Sequence, residues 1–391
     1  MGRSAGKCLV IATLAAAMNA FTAGVYTVRG HDVYAAVVAE PPDRPQVQFF
    51  DPATRRFDTL PMGSTIGPRR VTVYARRFTV ANANGRLGAS LWYRDDAKRP
   101  TVVLIQGADD STRDMGALIP YFVANGANVA SYDQRGTGVS TGNWRYASPV
   151  QKAEDIESII DRLRFDPHVD AKKVGVWGPS SGGWVAPIVA THARPAFMIL
   201  KSAPSESIAS NILYEVRAVL AEKRVAPSQI ERAMAFERGV FSALADRSPW
   251  NPRALADASA QPWFAYMRIP PGFTEPPPQS VQSVMRNAYL YDPTSALQHV
   301  RTPTLALFGS LDRNVDAPDS IARLRTDFET GGYRNLTIRT FARADHILEE
   351  STTGYLDDPV MPQRFVSGYP ETMISWLVTQ GILPRTSTTP K

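Results

Sequence analysis

Six short, uninterrupted apolar runs constrain this chain more than any other feature. They occupy residues 101–105, 128–132, 173–177, 196–200, 303–308 and 336–341, and stretches of helical periodicity separate most of them. A strand that is apolar on both sides must be covered on both faces, which is how a parallel sheet between two layers of helices reads. Before them, residues 71–80 and 86–92 are strand-like and are joined through Asn82-Ala83-Asn84-Gly85, whose Asn-Gly pair marks a hairpin. The fold class expected is therefore α/β, with a mostly parallel sheet of eight strands flanked by helices.

The connecting stretches support this. Ile156, Ile159, Ile160 and Leu163 recur at helical spacing while Glu154, Glu157, Asp161 and Arg162 face outward, so 155–165 reads as a packing helix. Residues 114–125 and 318–330 read as two more, the latter capped around Asp316 with Pro318 in its first turn. From 204 to 300 the alternation stops, and helical runs (212–220, 229–243) are followed by Trp250, Trp263, Phe264, Tyr266 and two proline clusters. So long a segment between two strands should form its own small unit, read here as a largely helical cap inserted after the sixth strand.

Composition excludes several function classes. The chain has 391 residues, 44% hydrophobic and 20% charged, enough for a sizeable core. Its net charge of +6 comes from scattered arginines with no basic run interleaved with aromatics, so no nucleic-acid partner is expected. Cys8 is the sole cysteine and the five histidines lie far apart, so neither a disulfide within the chain nor a metal site is expected. Arg3 and Lys7 precede an uncharged stretch from Cys8 to Val28, the pattern of an export signal with small residues at 20–24 for cleavage. The same stretch is long enough to cross a bilayer as an uncleaved anchor, the one route to a membrane association. Residues 1–28 are thus set apart as signal or anchor and 29–70 as an extended, proline-rich lead-in. Residues 71–203 and 301–383 form the core, 204–300 the cap and 384–391 a tail, in a protein exported to the periplasm or beyond.

The chemistry concentrates at strand ends. The run at 173–177 leads into Gly178-Pro179-Ser180-Ser181-Gly182, a G-x-S-x-G turn before an Ala/Val/Ile-rich helix. A serine hydroxyl is a poor nucleophile and must project from a tight turn towards a base, beside free backbone N–H groups. Gly178 and Gly182 suit the close approach of strand and helix, and the helix start offers unpaired N–H groups to a developing oxyanion. The strand at 303–308 ends in Gly309-Ser310-Leu311-Asp312, and the strand at 336–341 in Ala342-Arg343-Ala344-Asp345-His346. Ser180, Asp312 and His346 each follow a parallel strand, so they converge on one sheet edge in the order serine, acid, histidine. Asp316 is the competing acid but suits a helix cap, and Asp345 should point away from the ring. The glycine-rich stretch 136–142 misses the dinucleotide spacing and reads as a loop.

On these residues the sequence resembles the α/β-hydrolases, closest to bacterial esterase and peptidase-like members that carry a cap between the sixth and seventh strands. The likeness spans about 71–383, including the loop Asp133-Gln134-Arg135-Gly136-Thr137-Gly138 and a closing helix at 370–381. It implies Ser180 as nucleophile, His346 as general base and then acid, and Asp312 as the group that orients the imidazole. It also implies an oxyanion hole from the Ser181 N–H and, after the strand at 101–105, the Ala108 N–H. The sequence departs from the family in having Gln106-Gly107 where His-Gly is common, followed by Asp109 and Asp110. Those carboxylates would oppose an oxyanion unless paired, for which Arg113 and Arg135 are the candidates; otherwise they bind a substrate ammonium.

The function expected is hydrolysis of a small-molecule carboxylic ester through an acyl-enzyme, without a cofactor. Asp109, Asp110, Trp184, Trp263 and Phe264 are the candidate substrate contacts. The alternatives are an aminopeptidase or amidase using the same three residues, and a non-catalytic protein that binds a ligand under the cap. Oligomeric state and natural substrate are not readable.

Overall fold

A computed structural model describes residues 73–385 apart from 114, 116–117, 269–272 and 356–364, together with the backbone of five strands within 24–72. Residues 1–23, the body of the segment read as signal or anchor, and 386–391 of the tail lie outside the described residues. Among the described residues no helix is long and apolar enough to cross a membrane.

The apolar runs form the sheet predicted from them. Its strands are β6 (Tyr74–Asn82), β7 (Gly85–Tyr93), β8 (Arg99–Leu104), β9 (Asn128–Tyr132), β10 (Val169–Pro179), β11 (Met198–Lys201), β12 (Thr304–Gly309) and β13 (Leu336–Phe341). They lie in the order β13-β12-β11-β10-β8-β9-β7-β6, antiparallel only where β7 pairs with β6 and β9. The six later strands run parallel. Because successive side chains alternate faces, each buried strand feeds two cores. Val176, Leu200 and Ala306 join one with Ile156 and Ile160 of the helix Pro149–Arg164 and Val185 of the helix Gly182–His192. Trp177, Ile199 and Leu305 join the other with Phe122 of the helix Leu118–Ala124 and Met373 and Leu377 of the helix Tyr369–Thr379.

The order reverses at β8, which has β9 on one side and β10 on the other. Crevices at the C-terminal ends of parallel strands open where such a reversal splits the connections. The loops after β8 and β10 flank that point, and those after β12 and β13 sit further along the same edge.

Upstream the structure differs from the expected lead-in. The stretch 24–72 carries β1 (Gly24–Val28), β2 (Tyr34–Val38), β3 (Gln46–Asp51), β4 (Arg56–Asp58) and β5 (Ile66–Thr72), paired antiparallel in the order β4-β3-β2-β1-β5. Pro41, Pro42 and Pro45 fall between β2 and β3, so the β-prone runs Val37-Val38 and Val47-Gln48-Phe49-Phe50 are left free to pair. The strand expected at 71–80 divides at Val73, its first two residues belonging to the smaller sheet.

Between β11 and β12 the chain is helical, as its loss of alternation implies: Ile208–Glu222, Pro227–Asp246, Pro252–Ser259, a 3-10 turn at Pro262–Tyr266, Gln279–Tyr289 and Thr294–His299. Glu237 is 1% exposed within this insertion, against Ile212, Val240, Leu244 and Met285. Among the described residues its Oε2 has no hydrogen-bond partner. Burial pushes its carboxyl up to about 7, the charge of Arg268 only partly opposing the shift. A raised carboxyl contributes stability below its unfolded value that is lost as pH rises through the folded one, here from about 4.5 to about 7. Between pH 5 and pH 8 the wild type should therefore lose on the order of 2–3 kcal/mol that Glu237→Gln keeps. Thermal melts at the two pH values check this, and parallel decline of both proteins would remove the assignment.

Candidate active site

Ser180 directly follows β10 in the left-handed region, with φ +48°. Such a conformation in a non-glycine residue costs on the order of 1–3 kcal/mol and is kept only where surroundings enforce it. Here the Ser180 N–H donates to the Lys201 carbonyl at 2.9 Å and the Ser180 carbonyl accepts from the Gly183 N–H at 2.8 Å. The turn demands glycine at 178, where a Cβ would lie 2.8 Å from the Gly182 carbonyl oxygen. The helix Gly182–His192 starts directly after Ser181, whose side chain makes no capping bond.

Asp312 and His346 are brought together by a close crossing of two loops. A Cβ on Gly309 would stand 2.2 Å from the Asp345 carbonyl oxygen, so only glycine lets the chain after β13 fold over the end of β12. The Leu311 N–H donates to the Ala344 carbonyl at 2.9 Å across that crossing. His346 Nδ1 then lies 2.9 Å from Asp312 Oδ2, and His346 Nε2 lies 3.0 Å from Ser180 Oγ. Asp312 is fully buried as a side chain, and its Oδ1 also accepts the N–H groups of Asn314 and Val315 at 2.8 and 2.9 Å. A carboxylate held this way keeps the proton on Nδ1, which leaves Nε2 free to accept from the serine hydroxyl.

The competing acids are occupied elsewhere. Asp316 caps the helix Ala317–Thr330 by accepting from the Asp319 N–H. Asp345 turns from the imidazole, its Oδ1 accepting from the Ile347 and Glu349 N–H groups at 3.0 and 2.9 Å.

The N–H groups of Ser181 and Ala108 donate to no acceptor among the described residues. Gln106 lies beneath the loop after β8 and its amide donates to the Thr112 and Tyr132 carbonyls at 2.9 and 2.8 Å. Gln134 donates to the Asp109 carbonyl at 2.6 Å, pinning the loop from the other side.

Asp109 and Asp110 are exposed, and the arginines expected to pair with them are committed elsewhere. Arg113 binds Asp133 through two nitrogens and Arg135 binds Asp155 in the same way, all four side chains buried. An unpaired buried carboxylate costs far more than an unpaired exposed one, so the buried acids take the guanidiniums. Asp109 instead accepts from the backbone and hydroxyl of Ser111.

Two of the aromatic candidates are packing residues. Trp184 is 7% exposed and its indole donates to the Glu206 carbonyl at 2.8 Å, and Trp263 is 3% exposed and donates to Gln229 Oε1 at 3.1 Å. Both belong to one apolar cluster with Ile212, Val216 and Met234, which joins the helix after Ser180 to the insertion. Burying large aromatic rings there contributes to the packing of the junction. Phe264 is half-buried against Phe236.

Sequence reasoning missed several residues that hold this site. Tyr214, in the insertion, donates its hydroxyl to the Asp312 carbonyl at 2.9 Å. Lys201 is buried at the end of β11 with its ammonium on the His346 carbonyl at 2.7 Å. For Lys201 a signal existed: a lysine closing an otherwise apolar central strand.

The profile of the family described as serine aminopeptidase, S33 matches residues 96–350, from just before β8 to just beyond His346. The chain belongs to this α/β-hydrolase family. The hydrolase is also similar to the thiohydrolase aneE of Aspergillus aculeatus, with 28% identity over 117 residues, 29% of this chain and 36% of the relative. That match spans about a third of the relative's length. Among solved structures, DcsB in complex with its substrate analogue has 16% identity and a TM-score of 0.48, covering 78% of this hydrolase and 98% of that chain. The Pyrococcus furiosus esterase Pf2001 has 13% identity and a TM-score of 0.47, covering 78% and 89%. The α/β hydrolase GrgF from Penicillium sp. sh18 has 19% identity and a TM-score of 0.47, covering 79% and 98%.

Proposed function

We propose that this hydrolase cleaves carboxylic esters through an acyl-enzyme on Ser180. The observation that carries the reading is the continuous line of contacts from Asp312 through His346 to Ser180 Oγ. In the first step Ser180 Oγ attacks the ester carbonyl while His346 Nε2 takes its proton, and Asp312 stabilises the imidazolium that forms. The tetrahedral oxyanion is received by the N–H groups of Ser181 and Ala108, each worth on the order of 10²–10³ in rate. Collapse breaks the carbon–oxygen bond, and His346 returns the proton to the departing alcohol. Water, deprotonated by the same imidazole, then releases the acid and restores Ser180. Thioesters can follow the same route, and the similarity to a thiohydrolase makes them the second substrate class to try.

Fluorophosphonate labelling of purified protein, followed by hydrolysis of nitrophenyl esters and acyl thioesters of increasing length, tests the proposal. Labelling at Ser180 with turnover of one of these series is expected, and absence of both sinks it. An aminopeptidase reading is favoured by one observation, the exposed Asp110 on the loop that holds Ala108. Under that reading Asp110→Asn loses at least tenfold in kcat/KM on free-amine substrates and leaves simple esters unaffected. Under the ester reading, free-amine substrates turn over poorly in both proteins.

A further inference from the structure

β11 reads Met198-Ile199-Leu200-Lys201, and every residue in it is buried. Met198 and Leu200 face one core, and Ile199 faces the other with Leu307, Ala344 and Leu348. By alternation Lys201 lies on the face of Ile199, where a fourth apolar residue would fit the pattern. An ammonium in such a position has a desolvation cost, and residues that break the local pattern in this way concentrate at functional sites.

Its contacts reach both halves of the proposed catalytic pair. In the β10–β11 register Lys201 stands opposite Pro179, and its carbonyl accepts the Ser180 N–H at 2.9 Å. Its Nζ donates to the His346 carbonyl at 2.7 Å. The next residue, Ser202, has φ +47° and donates its N–H to the Leu307 carbonyl at 2.7 Å, which ties the same point to β12. One residue thus bridges from the nucleophile's turn on β10 to the histidine's turn after β13, across the strand that carries Asp312.

We propose that Lys201 is a positioning residue for the Ser180–His346 pair: its carbonyl holds the serine turn, and its ammonium holds the histidine turn. The inference rests on the acyl-enzyme reading for its catalytic meaning. The charged groups that face the ammonium are Asp312, from the loop after β12, and Asp345 and Glu349, from the turn after β13, with the His346 ring in that same turn. Burial brings the Lys201 amine down to about 8 against the opposing pull of these acids. A lowered amine works against stability while the unfolded chain holds the proton more tightly. Folding stability should therefore rise as pH goes from about 8 towards the ordinary lysine value of about 10.5.

Lys201→Met tests this, since methionine fills the slot with neither donor nor charge. Three measurements are made on wild type and variant: kcat and KM for a nitrophenyl ester, the melting temperature at pH 7, and the His346 ring resonances by NMR at pH 7, assigned from His346→Gln. The expected result is a kcat lower by roughly 10- to 100-fold with KM changed little, consistent with a misplaced base. The melting temperature should be maintained or raised, because replacing a buried charge with a packed apolar group is often stabilising. The His346 ring resonances should move once the ammonium no longer holds the turn. A lower melting temperature with kcat per folded molecule unchanged would make Lys201 a structural residue and overturn the inference. So would His346 ring resonances identical in the two proteins. The resonances need no turnover, so failure of the ester reading and failure of this inference remain separate results.

Discussion

Ser180→Ala should lower kcat on the best nitrophenyl ester by on the order of 10⁴–10⁶ and abolish fluorophosphonate labelling, with KM little changed. The hydroxyl is the only nucleophile within 3.0 Å of His346 Nε2 among the described contacts, and no bypass through His346 alone is expected to approach its rate. The variant should remain folded. The turn is held by backbone bonds from Ser180 N–H to Lys201 and from Gly183 N–H to the Ser180 carbonyl, which alanine keeps. What activity survives should be the residue that oxyanion donors and substrate binding supply without a nucleophile, about 10³–10⁴ above the reaction in water. A loss smaller than tenfold, with labelling retained, would move the nucleophile elsewhere.

Asp312→Asn should cost about 10⁴ in kcat, a larger loss than its nearly isosteric shape suggests. The reason lies in the two sets of bonds the carboxylate makes. Asp312 Oδ1 accepts from the Asn314 and Val315 N–H groups while Oδ2 faces His346 Nδ1. An asparagine must keep its oxygen on the two backbone donors, so its NH₂ turns to His346. Nδ1 must then accept, the proton moves to Nε2, and the imidazole can no longer take a proton from Ser180. The check is kcat/KM against pH for both proteins alongside a crystal structure of the variant. An activity within tenfold of wild type, with geometry preserved, would assign the acid to another group.

How much of this was legible without coordinates can be followed residue by residue. The strands came through because a strand covered on both faces must be continuously apolar, and such runs stand out between polar, periodic helices. That Ser180, Asp312 and His346 meet at one edge was readable for a related reason: each follows such a run, and parallel strands deliver their ends to one edge. Asp316 as a helix cap was readable from Pro318 alone. The small sheet at 24–72 was not, since its short strands are interrupted by prolines whose positions between strands show only once the pairing is known. The indoles of Trp184 and Trp263 carry no mark in sequence that separates a packed ring from one facing substrate.

The amino-acid sequence by itself determined the layered α/β fold, the turn that strains Ser180 and the edge on which three chemically matched side chains meet, because hydrophobic period and glycine placement are local properties of the chain. Which charges pair was decided only in three dimensions. Arg113 and Arg135 leave the exposed Asp109 and Asp110 unpaired and bind the buried Asp133 and Asp155, because burial makes an unpaired charge far more costly than any loss of proximity in sequence. Lys201 acquires its place between Ser180 and His346 in the same way, 145 residues from the carbonyl it holds. Electrostatic partners depend on which groups are desolvated together, and desolvation exists only after the core has closed.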